Sequence, residues 1–132
     1  MSFSDTIEGN VLDHFFGLAT WTAPAAIYAA ASTDDPTDDG SGIAEPSDTS
    51  YARVAIGIGS DNWTRTDNSA VNDNDVEFPE ASESWGTIAY LGFFTAAEGG
   101  TFLGAAALTA SKAVGTGDTL RFAAGEVEVT QD

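Results

Sequence analysis

The stretch Phe78-Pro79-Glu80-Ala81-Ser82-Glu83-Ser84-Trp85-Gly86-Thr87-Ile88-Ala89-Tyr90-Leu91-Gly92-Phe93-Phe94, followed by Thr95-Ala96-Ala97-Glu98-Gly99-Gly100 and a second apolar run to Thr109, decides the fold. Two apolar runs around a Gly-Gly turn predict a β-hairpin. In the first run, alternation puts Ile88, Tyr90 and Phe94 on one face and Ala89, Leu91 and Phe93 on the other. A strand apolar on both faces is covered on both. The rest of the fold supplies one cover, and a neighbouring subunit is the expected source of the other. Large apolar Phe78 and Trp85 anchor the approach to this hairpin, and Pro79 ends a short strand from Val76. Gly86 allows close backbone approach to the indole, and Gly99-Gly100 supplies positive φ at the tip.

Outward from the hairpin, the 132 residues suit one domain large enough for a core without staples. The absence of cysteine excludes disulfides and thiolate metal sites. The segment Met1-Ser2-Phe3-Ser4-Asp5 lacks the form of a secretory signal, and no apolar run has the length of a membrane span. Against 21 acidic residues stand only Arg53, Arg65, Lys112 and Arg121, a net charge of −17. Such a chain repels phosphate backbones, so nucleic acid is not an expected partner. With 42% hydrophobic residues in patterned runs, the acidity describes a folded surface rather than disorder. It suits molar salt, where screening suppresses self-repulsion, and so predicts a halophilic source.

Residues 4–16 predict a helix with one apolar stripe of Ile7, Val11, Leu12, Phe15 and Phe16, with Ser2 or Ser4 as N-cap and Gly17 at the stop. Residues 25–31, around Ile27 and Tyr28, read as a strand after Pro24. Residues 32–50, rich in Asp, Gly, Ser and Pro, read as a solvated loop without the pattern of a calcium site. Residues 51–59 read as a strand with Val54, Ile56 and Ile58 on one face, and Arg53 as an ion-pair partner. Residues 60–76 read as polar connection. Their Trp63, with Trp21, is a possible stacking platform for sugars, Asn62-Trp63-Thr64 is a weak glycosylation sequon, and the alternating Asp73, Asp75 and Glu77 are spaced to share a cation. Residues 111–118 carry a turn, and 119–123 and 126–130 read as strands, the last with Val127 and Val129 inward. The resulting expectation is a mostly-β single domain over residues 1–132: a β-sandwich or jelly-roll-like fold of about seven strands with one N-terminal helix over 4–16.

Chemistry is not legible in this pattern. One histidine, His14, sits within the helix, and no nucleophile elbow, phosphate loop or metal-ligand spacing accompanies it. Carboxylates are too numerous for any pair to single itself out as a glycosidase dyad. The reading is a non-enzymatic protein with no cofactor, the alternatives being a carbohydrate-binding module or a two-carboxylate hydrolase.

His14-Phe15-Phe16-Gly17, Pro24 before Ile27-Tyr28, Tyr51-Ala52-Arg53, Phe78-Pro79, Trp85-Gly86-Thr87, Gly99-Gly100, Gly117-Asp118 and Phe122-Ala123-Ala124-Gly125 follow one another in an order that resembles a family of small virion-surface proteins of tailed phages, tail-fibre-like or capsid-decorating. The resemblance spans nearly the whole chain. It implies a β-rich structural protein of the virion surface with no catalytic residues; the acidity points to a virus of halophilic archaea. The expected role is a turret or decoration on the capsid, or a subunit of a tail fibre or tail tip. The expected partners are further copies of the chain, in threes, fives or sixes, other virion proteins such as the major capsid protein, and host-surface glycans. Tyr51, Arg53, Phe78, Pro79, Trp85, Gly86, Ile88, Tyr90, Leu91, Phe93, Phe94, Gly99 and Gly100 are the candidates for holding the fold and the oligomer together.

Overall fold

The computed structural model describes residues 3–131. Helix α1 (Asp5–Phe15) is followed by β1 (Ile27–Ser32), β2 (Val54–Ile56), β3 (Trp63–Thr66), β4 (Ser69–Asn72), β5 (Val76–Glu77), β6 (Gly86–Phe94), β7 (Phe102–Val114), β8 (Arg121–Phe122) and β9 (Glu128–Thr130). A four-stranded antiparallel sheet in the order β2-β1-β6-β7 forms one layer. The sheets β3-β4-β9 and β5-β8 lie on its inner face. The result is the mostly-β, sandwich-like fold that the hairpin pattern predicts. Between the layers, Ile88, Leu91 and Phe93 of β6 and Ala29 and Ala31 of β1 meet Val76, Phe78, Trp85, Phe122 and Val127. Among the described residues no helix is long and apolar enough to cross a membrane.

The β6–β7 hairpin forms, with β7 running to Val114 rather than stopping at Thr109. Simple alternation along β6 does not survive. The register with β7 shifts between Ile88 and Tyr90 and again between Phe93 and Phe94. A bulge of this kind turns the following side chains over. Ile88 therefore shares the inner face with Leu91 and Phe93, while Phe94 turns outward into a second cluster with Ala30, Phe102 and Ala105.

That second cluster is roofed by the chain itself, not by a neighbour. Residues 32–50, expected to be a solvated loop, fold back so that their middle covers the outer face of the sheet. Ile43 packs on the Phe94–Phe102 cluster, and the two rings lie 5.4 Å apart. Gly40, at φ +79°, has no room for a side chain, because a Cβ there would come within 2.7 Å of Phe102 Cγ. Asp35 and Asp39 build the loop's own turns by accepting from the backbone N–H of Thr37 and Ser41, each at 2.9 Å. Hydrogen bonds from Ser41 and Thr37 hold the Asp39 carboxyl down to about 2. The lid is tied to β1 by Ala44 N–H to Ser32 Oγ (3.0 Å) and to α1 by Asp5 N–H to Asp38 O (3.1 Å).

Two more expectations need correction. Residues 60–76 contain a hairpin, β3–β4, whose two-residue connection Asp67-Asn68 places Asp67 at φ +53°. Strand β2 is shorter than 51–59, and Ile58 beyond it is 44% exposed rather than inward. Helix α1 forms as expected, capped by Ser4, whose hydroxyl accepts from Ile7 N–H at 3.4 Å; Ser2 lies outside the described residues. Most of its apolar stripe stands outside the core. Only Ile7 is buried, and no residue from Glu8 to Thr20 is.

Candidate functional site

Tyr51, Arg53, Phe78, Trp85, Phe94 and Gly99, singled out in the sequence, are linked around residues 45–53. Phe78 and Trp85 are buried, and Tyr51 packs against both rings, at 6.2 and 5.3 Å between centroids. The Tyr51 hydroxyl accepts from Ala31 N–H (3.0 Å) and donates to Glu45 Oε1 (2.7 Å). Burial first, and then the Glu45 carboxylate, push the Tyr51 phenol far above its ordinary value. Glu45 also takes both prongs of the Arg53 guanidinium, Nε to Oε1 and Nη2 to Oε2, each at 2.9 Å. The remaining Nη1 donates to Ala96 O (3.0 Å) and Gly99 O (2.9 Å), and the guanidinium carbon sits 3.7 Å from the Phe94 ring centre. Burial raises the Glu45 pKa, but bonds from Arg53 and Tyr51 outweigh it, so the net shift is downward. Arg53 thus joins the lid to the β6–β7 turn, where Gly99 and Gly100 take φ +62° and +75°.

The central member of this knot was not legible. Asp48 is buried and accepts six hydrogen bonds: from N–H and hydroxyl of Ser50, N–H and hydroxyl of Ser82, Glu83 N–H, and Trp85 Nε1 at 2.9 Å. No lysine, arginine or histidine among the described residues takes part. Burial works to raise its pKa, yet the bonds, led by the Ser82 hydroxyl, hold it well below the usual carboxylate range. Among 21 acids, Asp48 carries no mark in the sequence beyond its place before Thr49-Ser50. Pro79 is exposed, Gly86 adopts φ +76°, and Tyr90 is half-buried at the start of the second cluster's face. Ile88, Leu91, Phe93 and Phe94 are all buried within the chain itself.

Two of the three acids spaced to share a cation are otherwise engaged. Asp73 accepts from the Thr64 hydroxyl (2.7 Å), and Asp75 pairs with Arg121 and accepts from Ala124 N–H. Among the described residues no three His, Asp or Glu side chains are grouped to hold a metal. Trp63 belongs to β3, half-buried, its indole donating to Gly57 O at 2.7 Å; Trp21 packs on the core, its N–H donating to His14 Nδ1 at 3.2 Å.

Two mainly apolar surfaces stand open among the described residues. The first is the far end of α1, where Val11 (40%), Leu12 (57%), Phe15 (78%), Phe16 (67%) and Leu18 (76%) stand in solvent, the two rings edge-on at 4.9 Å. Contiguous exposed apolar side chains of this kind mark contact surfaces. The second is an open groove of about 460 Å³ at one mouth of the sandwich. Ile27, Trp63, Phe93, Leu103 and Val129 form its apolar wall, with Arg65 and Asp67 at the polar part of its lining. Neither surface carries a nucleophile–base pair or a dyad of carboxylates.

Against known proteins, a family model described as podophage GP4 fiber I protein gp80 matches residues 2–130. No curated protein matches the chain.

Proposed function

The chain belongs to the podophage GP4 fiber I protein gp80 family, and from that premise we propose that it is a non-enzymatic structural subunit of a virion fibre, acting as a homo-oligomer on the particle surface. Membership makes it a phage fibre-type protein and so a virion component. The oligomer rests on one observation, the exposed apolar end of α1. Five apolar side chains held out in water by a helix with a docked first turn are the shape of an assembly contact, not of a catalytic site. The family's description favours a fibre over a turret on the head. Other virion proteins anchor it there, and host-surface glycans are the receptor class a fibre of this kind meets.

Two measurements test this. Mass spectrometry of purified virions finds the chain in several copies per particle, and light scattering of the purified chain in molar salt gives an integer multiple of its mass. A chain absent from virions, or a monomer at tens of micromolar under all salts, an affinity range where specific contacts persist, overturns it.

A further inference from the structure

We infer that the two open apolar surfaces are the two halves of one contact: the aromatic tip of α1 in one copy seats in the apolar groove of the next. The inference rests on the fibre-subunit reading and adds the partner and the geometry of its contact. Phe15 and Phe16 are 78% and 67% exposed, so they do not occupy their own groove. Nor does the helix aim them at it. Its N-terminal end is fixed beside the groove, where Phe3 bridges Gly104 and Ser4 N–H bonds Leu103 O at 3.0 Å. Eleven helical residues then carry the tip about 16 Å from that anchor. A second copy supplies what the first cannot reach, and a head-to-tail contact fills both surfaces in every copy at once.

Charge points to the same occupant. Arg53, Lys112 and Arg121 each have a carboxylate partner, whereas the described contact of Arg65, on the groove lining, is only to the carbonyl of Asp67. The incoming tip brings the carboxylate of Asp13, one turn back from its rings. The groove wall itself is too apolar for a sugar, which needs polar partners beside a stacking face. With two aromatics at about 150–250 Å² each and three aliphatic side chains, the contact buries on the order of 1,000 Å² over both partners. That is the lower end of specific interfaces, and it makes the assembly concentration-dependent. Repetition of such a contact closes a ring if its rotation divides a full turn and otherwise winds an open helix.

The chain's lack of cysteine makes a direct test possible. Phe16→Cys and Ala70→Cys place one thiol on the exposed tip and one on the groove wall. Mild oxidation of an equimolar mixture in molar salt yields crosslinked dimer between the two variants, each variant alone yields little, and the double variant yields a ladder. Leu18→Cys with Ser69→Cys repeats the test should Ala70→Cys disturb folding, which circular dichroism reports. Equal crosslinking of Phe16→Cys with itself, which denotes a symmetric tip-to-tip contact, overturns the inference. So does an oligomer that forms without tip-to-groove crosslinks, or Ala70→Cys reacting in virions with a different protein; both leave the fibre-subunit reading standing. Absence of the chain from virions overturns that reading whatever the crosslinks show.

Discussion

Asp48 is the residue whose removal separates electrostatics from packing. Its site is furnished wholly with donors, so Asp48→Asn presents an NH₂ group where Ser82, Glu83 and Trp85 also donate, and the fold weakens at neutral pH. Its folded pKa lies below the unfolded value of about 3.9. The contribution is therefore complete above that value and is lost as pH falls through the folded pKa. Urea midpoints followed from about pH 7 to pH 2 decline steeply at the acid end in the native chain, and less steeply in Asp48→Asn. Parallel profiles refute the role. Trp85, 4% exposed and packed edge-on against Tyr51 and Phe78, belongs to the same knot, and Trp85→Ala costs about 3–5 kcal/mol. For Trp63 a polar, solvated setting implies a loss under about 1 kcal/mol. Its placement on β3 with a bond to Gly57 O raises the expected loss to about 1–3 kcal/mol, still short of Trp85. Denaturant melts of both variants check the order.

At the scale of elements, the lid over residues 32–50 is an element in all but regular hydrogen bonding. Arg53 is its latch, and lysine cannot reproduce a bidentate pair with two further carbonyl contacts. Arg53→Lys should cost about 2–3 kcal/mol, the scale of a charge-assisted hydrogen bond. Hydrogen exchange should speed up in residues 33–50 before it does in β6; uniform acceleration instead means that the latch serves the whole fold. The β6–β7 hairpin was legible because its apolar run is long and its Gly-Gly turn unambiguous. The lid was not, because its solvent-facing composition is that of any loop, and only Ile43 and the cramped Gly40 betray a covered surface beneath. The β3–β4 hairpin was missed because Trp63-Thr64-Arg65-Thr66 and Ser69-Ala70-Val71-Asn72 alternate without a strong apolar face. The Asp67-Asn68 pair between them was the available signal, since both residue types tolerate positive φ. For α1 the periodicity gave the helix but not its environment: an apolar stripe reports that something covers it, and not which chain does.

At the scale of the whole molecule, charge dominates. A net −17 meets only three ion pairs among the described residues, so most carboxylates repel one another unscreened. At about 0.01 M salt the Debye length is roughly 30 Å and at 1 M about 3 Å. The melting temperature should climb with sodium chloride from about 0.05 M to 2 M, and the oligomer should dissociate before the fold does as salt is withdrawn. A flat profile removes the case for a hypersaline source, which rests on the charge alone. The anchoring of α1 has a consequence of another kind, in mechanics. If the tip of each helix grips the next copy, tension along a fibre enters each subunit at that tip and reaches the sheet by two routes: through α1 to Ser4, whose hydroxyl and N–H hold Phe102 O and Leu103 O, and through the core-packed Trp21 to β1. An eleven-residue helix with one docked turn is marginal on its own, whereas the sheet beyond it is cross-braced by its lid. The arm then acts as a compliant spring in series with stiff blocks. Pulling on a linked pair should give a small, reversible extension from helix unwinding well before any β-sheet ruptures.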